Sequence, residues 1–323
     1  MERDYCVLRG AAYFRYKIAL ATLIGTKLKL AEIRSDDINP GLTEYEANFL
    51  QLIQEITDGG LVKINKTGTK VEYVPGTISN HNGVEVVHEC HPSRSIVYYL
   101  EGILPIALFG KEPLEITLTG VTNDGLDVSI DSFRAVMPVL LRQFGIEEGS
   151  SINIIERGIH PLGGGKVKVK LPIVKNLDAP HMTEEGKIKR IRGVAYACKT
   201  SPQLCNRIFE TMRGIFIDYI PDVWIHTDHS KSGSSPGYGT SVVAETTTGT
   251  LFTADAFFDK AKESTPESVG KECALRLLDE ALFGGCVDSS FQGIVLLLMA
   301  LSSNEHVASL KVGRVTKYSY YLF

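Results

Sequence analysis

Residues 151–171 read Ser151-Ile152-Asn153-Ile154-Ile155-Glu156-Arg157, then Gly158-Ile159-His160-Pro161-Leu162-Gly163-Gly164-Gly165, then Lys166-Val167-Lys168-Val169-Lys170-Leu171. The last six residues alternate charged and apolar, which puts three lysines on one face of a strand and the valines and leucine on the other. The first seven read as a partner strand, and a glycine-rich turn joins the two. Upstream, Ser132 to Phe144 spaces its apolar residues as a helix does. The unit is therefore a helix followed by strands.

The same unit recurs toward the N-terminus. Leu42, Tyr45, Phe49, Leu52, Ile53 and Ile56 lie at helical spacing, and Thr43-Glu44-Tyr45-Glu46 has the form of a capping box. Asp58-Gly59-Gly60 stops that helix, and strands follow over Leu61 to Asn65 and Thr69 to Val74. A second copy runs from the helix Ser95–Phe109 into the strand Leu114–Leu118 and a turn at Gly120. Such recurrence predicts an α/β (α+β) fold of repeated helix-plus-strand units, with helices laid on one face of the sheets. After Pro172 the pattern changes: a helix over Ser201–Tyr219 and strands over Asp222–Thr227, Ser241–Thr246 and Thr250–Ala254 form a smaller set. Ser230 to Gly239 reads as an irregular loop, too rich in Gly and Ser for regular structure. A helix from Pro266 to Phe283 and the apolar run Val287–Leu301 resume the first pattern. The expected organisation is a repeat domain over 1–177 and 268–323, with a small α/β domain inserted at 178–267.

Composition sets outer limits. Of 323 residues, 44% are hydrophobic and 22% charged, the balance of a folded protein rather than a disordered or fibrous one. Lys and Arg total 34 against 38 Asp and Glu, which argues against a nucleic-acid coat over the whole surface but permits a local basic face. The longest apolar run, Ile294–Leu301, is far short of the ~20 residues that cross a bilayer, and Met1-Glu2-Arg3-Asp4 lacks the apolar stretch of a secretory signal. No membrane association is expected. The six cysteines are scattered, without a C-x-x-C pair, and read as reduced, packed thiols. The chain closes on the apolar string Tyr320-Tyr321-Leu322-Phe323.

Four groups of residues carry candidate chemistry. Gly163-Gly164-Gly165 could cradle an anion with bare backbone amides, but Gly165-Lys166-Val167 leads into a strand instead of the helix that a phosphate loop requires, so a plain turn is the better reading. His81 and His88-Glu89-Cys90-His91 are metal-capable, yet strand neighbours point to opposite faces and no second cluster completes a tetrahedral set. No metal and no cofactor are expected. His226-Thr227-Asp228-His229 offers acid/base groups without a nucleophile motif beside them. Lys187, Lys189, Arg190 and Arg192 form the densest basic cluster, suited to phosphates, to a solvated strand face or to an import patch.

Taken in order, several strings resemble the RNA 3′-terminal phosphate cyclase superfamily over nearly the whole chain. They are Leu8-Arg9-Gly10-Ala11-Ala12-Tyr13-Phe14-Arg15, Ile33-Arg34 with Asn39-Pro40-Gly41-Leu42, Val121-Thr122-Asn123-Asp124, Arg157 to Gly165, Ser235-Pro236-Gly237-Tyr238-Gly239 and Gly284-Gly285-Cys286-Val287-Asp288. The resemblance implies a larger domain of repeated α/β units with a smaller one inserted. Active members use ATP to adenylate a histidine, pass AMP to an RNA 3′-phosphate and close a 2′,3′-cyclic phosphate. Here the matching positions depart from that pattern. Leu8-Arg9-Gly10-Ala11 replaces an acidic, glycine-rich string, Tyr45-Glu46 replaces Gln-His, Gly293-Ile294-Val295 replaces Asp-Gln-Leu, and Tyr318 falls at the nucleophilic histidine.

A phenol of ordinary pKa near 10 is a poor substitute for imidazole, so adenylation is expected to be lost. Glu46 should also oppose nucleotide phosphates by like-charge repulsion. These departures match the family's cyclase-like, nucleolar branch, which normally continues past the Tyr318 region with a further helix and strand. The resemblance to that branch implies a non-catalytic factor of the small-subunit processome, needed for early pre-rRNA cleavage and small-subunit rRNA maturation. It implies precursor rRNA and a ribosome-biogenesis GTPase as partners. The residues expected to hold phosphate or RNA are Arg15, Arg34, Arg157, Gly163, Gly164, Gly165, Lys187, Lys189, Arg190 and Arg192. Alternatives are an RNA-processing enzyme, either an ATP-dependent 3′-phosphate cyclase or a pre-rRNA endonuclease, and a metal-dependent module around His81–His91.

Overall fold

A computed structural model of the chain describes residues 5–259, 264–303 and 305–321. The opening residues 1–4 and the closing 322–323, both used in the sequence reading, lie outside that set. The architecture is mixed α/β. One plan is used twice. The first unit runs β1 (Cys6–Arg9), α1 (Phe14–Ile24), β2 (Leu28–Ala31), α2 (Glu44–Ile56), β3 (Thr57–Asp58), β4 (Leu61–Ile64), β5 (Val71–Val74) and β6 (Thr77–Ile78). The second runs β7 (Val86–Glu89), α3 (Ile96–Ala107), β8 (Leu114–Gly120), α4 (Ile130–Gln143), β9 (Ser151–Glu156) and β10 (Gly165–Leu171). Their sheets have orders β1-β2-β5-β4 and β7-β8-β10-β9, each a parallel pair followed by two antiparallel neighbours.

A separate two-stranded sheet pairs β11 (His181–Met182) in parallel with β16 (Ser309–Leu310). Between these two strands lie β12 (Ile188–Cys198), α5 (Gln203–Phe216), β13 (Val223–Ser230), β14 (Gly237–Thr246), β15 (Leu251–Phe257), α6 (Pro266–Phe283) and α7 (Gln292–Ala300); α8 (Lys317–Tyr320) follows β16. The repeat is thus two helices and four main strands, longer than the helix-plus-strands period read from the sequence. The apolar spacing of α2 and α4 had revealed only its second half.

Local chemistry explains the helix starts. Ser95 Oγ accepts from the Val97 amide at 3.1 Å and Ser129 Oγ from the Ser132 amide at 3.0 Å, each satisfying a donor that a helix start leaves open. Glu46 Oε2 accepts from the Thr43 amide at 2.9 Å, the reaching-back bond of a capping box. Every residue of α3 except Glu101 is buried, so α3 is the spine of the larger core, packed among α1, α2, α4 and α7. Truncating one of its leucines to alanine would cost about 2–5 kcal/mol.

The smaller sheet has the order β13-β12-β14-β15, and α5 and α6 cover one face of it with Ile208, Met212, Phe216, Val269, Cys273 and Leu277. The boundary expected at 267/268 falls inside α6. The helix Pro266–Phe283, assigned to the larger unit by its place in the pattern, buries its apolar stripe in the smaller core. The loop expected over Ser230–Gly239 is shorter too. Ser230 ends β13, and Gly237, Tyr238 and Gly239 are buried in β14, paired with Cys198, Ala197 and Tyr196.

Candidate functional site

A cleft of about 660 Å³ lies where the first turn of α1, the middle of α3, the loop before α4, the end of α6 and the segments flanking α7 meet. Tyr13 holds the left-handed conformation at φ 56° just before α1 and sets Arg15 and Tyr16 facing α3. Arg15 forms an ion pair with Glu101, and the Tyr16 hydroxyl donates to the other oxygen of that carboxylate. Arg94 makes a two-pronged bond with Asp127, Nε to Oδ2 at 2.7 Å. Both guanidiniums lie over the Tyr98 ring, Arg15 at 4.7 Å and Arg94 at 4.6 Å from its centroid. Two like charges on one ring are tolerated because each has its own carboxylate.

Tyr318 forms one wall. Its ring centroid is 4.4 Å from that of Tyr13 and 5.9 Å from that of Tyr16, and its carbonyl accepts from the Tyr13 hydroxyl at 3.0 Å. Burial pushes the Tyr318 phenol up to about 12, with the Arg15 charge pulling the other way and Glu101 adding to the rise. It is a neutral hydroxyl at physiological pH. The described residues that line the cleft include Arg15, Arg94, Arg276 and Arg314 but no histidine. Such a set can grip an anion through planar donors, and it offers no free ring nitrogen to attack one.

The other candidates are not gathered here. Arg34 is bound by Glu46 in a fork of 2.8 and 2.6 Å and donates to the Gly41 carbonyl at 2.9 Å. The repulsion expected of Glu46 is therefore largely cancelled by its own arginine. Arg157 and Asp131 are both 5% exposed. Arg157 meets Asp131 at 2.5 and 3.0 Å and Asp228 at 3.1 Å, and lies 4.4 Å from the centroid of Tyr196. It cross-links α4 to the smaller sheet. The glycines serve the same seam. A Cβ on Gly158 would overlap the Gly165 amide, one on Gly163 would lie 2.7 Å from the Gly120 carbonyl carbon, and Gly164 abuts Ser234.

The basic cluster forms the start of β12, outside the cleft. Lys189 and Arg190 share Glu245 at 2.7 and 2.5 Å, Arg192 pairs with Asp222 at 2.8 Å, and Lys187 is exposed just before the strand. The metal-capable residues have other partners. His88 bonds Glu55 at 3.0 Å and Asn48 at 3.2 Å, and His91 pairs with Glu44 at 2.8 Å. No group of three or more His, Cys, Asp or Glu placed to hold a metal occurs among the described residues. Asp228 joins Arg157, and His229 meets the Thr200 carbonyl at 3.0 Å. No helix of the described residues is long and apolar enough to cross a membrane.

Sequence reasoning missed Arg94, Glu101 and Asp127. Arg94 stands directly before the Ser95 cap, but its partner is 33 residues away, a separation with no local signature.

The repeated units, the inserted sheet and the arginine-lined cleft define a class that the comparisons name. The family model for RNA 3′-terminal phosphate cyclase matches residues 7–322, and the chain belongs to that family. Within it, the chain is 44% identical to the RNA 3′-terminal phosphate cyclase-like protein of Homo sapiens, over 96% of this chain and 84% of that one. It is 42% identical to the probable RNA 3′-terminal phosphate cyclase-like protein of Dictyostelium discoideum, over 96% and 87%. It is 39% identical to the rRNA processing protein rcl1 of Schizosaccharomyces pombe, over 95% and 84%.

Proposed function

We infer that this protein is a non-catalytic member of its family that acts in rRNA processing. In this reading it works in the nucleolus, within the small-subunit processome, supports early cleavage of the precursor, and binds a ribosome-biogenesis GTPase. The observation that carries it is the Tyr318 phenol, with a pKa raised to about 12, seated in a cleft whose described lining has no histidine. Transfer of AMP to the protein needs a nucleophile with an available lone pair at neutral pH, and a protonated phenol without an adjacent base supplies none. The arginines remain, so the cleft keeps the means to hold a phosphate. Similarity to the Schizosaccharomyces pombe relative named as an rRNA processing protein supports the process, and similarity to relatives named cyclase-like supports the loss of chemistry.

The test has two arms. Incubation with ATP labelled in its α-phosphate, followed by acid denaturation and gel separation, should leave the protein unlabelled; a labelled, acid-labile adduct would overturn the non-catalytic reading. Affinity capture of the tagged chain from a nucleolar extract should recover precursor rRNA together with a GTPase, and recovery of neither would remove the process.

A further inference from the structure

One face of the smaller sheet is covered by α5 and α6; the other looks toward α4 across a groove of about 690 Å³. Register puts Arg190, Arg192 and Val194 of β12 on that face, beside Trp224 and His226 of β13 and Val243 and Glu245 of β14. The opposite wall is the outer stripe of α4, where Arg134, Ala135, Val139 and Arg142 recur at helical spacing. Arginines thus stand on both walls, and Ala135, Val139, Val194, Val243 and Leu251 make an apolar floor between them. The α4 pair is the less satisfied. Arg134 is 3.9 Å from Asp131, a carboxylate already forked by Arg157, and among the described residues Arg142 Nε donates only to the Pro138 carbonyl at 3.3 Å.

Beyond the β14–β15 turn the groove shares Val139, Gln143, Gly249 and Leu251 with a second cavity of about 350 Å³ bounded by His181, Thr183 and Glu184. The space is therefore elongated. The chain's single tryptophan, Trp224, is 68% exposed on the edge strand in register with Arg192, next to the groove rather than in its lining, and it also borders a smaller pocket with Phe209 and Arg213 of α5.

We propose that this groove is a binding site for single-stranded RNA, distinct from the Tyr318 cleft. The inference rests on the reading that the protein acts on RNA and adds where a strand would lie. Forked guanidiniums on two walls match a run of phosphates, the apolar floor accepts the faces of bases and sugars, and an exposed indole beside an arginine is a stacking platform. A compact anion would use the arginines but leave the floor and Trp224 without a role.

The experiment titrates the full chain with a mixed-sequence 12-nucleotide RNA, followed by Trp224 fluorescence and by anisotropy of a labelled strand at several salt concentrations. Polyglutamate is titrated in parallel. Quenching of Trp224 and preference for the RNA over polyglutamate are expected. Arg134→Gln with Arg142→Gln should weaken binding at least several-fold and lower the slope of log affinity against log salt by about 1.4, two phosphate contacts at roughly 0.7 each. Circular dichroism should be unchanged, since both side chains are exposed. Lys66→Gln, at an exposed lysine of the β4–β5 turn outside both the groove and the cleft, should bind the strand as the parent does. Equal affinity and slope for parent and double variant, an unresponsive Trp224, or polyglutamate held as tightly as RNA would each overturn the groove. If tagged protein still recovers precursor rRNA in that event, the groove alone falls and the broader reading stands.

Discussion

Asp131 and Asp288 are about equally withdrawn from water, at 5% and 2% exposure, yet they titrate in opposite directions. Burial opposes ionisation of both. At Asp131 the charge and hydrogen bonds of Arg157 outweigh it and hold the carboxyl below its ordinary 3.8. Among the described residues Asp288 has four donor contacts, from Thr253 N and Oγ1 and the Ser290 and Phe291 amides, but no cation, and Glu280 adds repulsion; its value rises to about 7. Neutral hydrogen bonds settle a buried carboxylate less well than one forked guanidinium. The seam between α4 and the smaller sheet is therefore an ion-paired joint, and the turn before α7 is a joint with a residual electrostatic cost.

The largest test of that contrast is Arg157→Ala. It leaves Asp131 buried without its cation and should lower unfolding free energy by about 3–5 kcal/mol, measured by denaturant titration. A loss no greater than that of an exposed arginine would mean that the seam is wet.

Next come the pH profiles. The depressed pKa of Asp131 adds stability that is present above pH 3.8 and is lost as pH falls through the lower folded value. The raised pKa of Asp288 does the reverse: the folded state holds the extra proton, so stability declines as pH rises from about 4 to about 7. Asp288→Asn should flatten the thermal midpoint between those limits while leaving the limb below pH 4 intact. An unchanged slope across that window would remove Asp288 as its source.

Arg15→Ala probes the cleft and should cost less, about 1–3 kcal/mol, because Glu101 keeps the Tyr16 hydroxyl as partner. Its sharper readout is loss of any thermal stabilisation by pyrophosphate. The smallest effect belongs to Arg192→Ala, whose exposed partner Asp222 returns to water; the unfolding midpoint should not move measurably.

The sequence displayed much of this architecture but little of its pairing. Alternation in Lys166–Leu171 and apolar spacing in α2 and α4 predicted elements whose faces are where expected, with Val167, Val169 and Leu171 buried. Residues 188–198 were seen only as charges. The first half of β12 carries three basic residues and the second half is buried between two layers, so neither alternation nor a continuous apolar run marked it. The cleft was legible through Arg15 and Tyr318, each attached to a recognisable string. Arg94, Glu101 and Asp127 were not, because their roles come from contacts between separate elements. Arg34 and Arg157 show the converse limit: a guanidinium suited to phosphate is equally suited to a carboxylate, and only tertiary structure says which one it meets.

Glu185 holds two distant points of the chain together. Its carboxylate accepts from the Gly285 amide at 2.5 Å and pairs with Lys311 at 3.1 Å. The hundred-residue excursion from β11 to α7 thus departs and returns through a single clasp. To the short β11–β16 ribbon it amounts to a closed loop whose gathering is secured by its own independent core. Because β11 and β16 run parallel, no tight hairpin can join them, and the excursion supplies the crossover that their pairing requires.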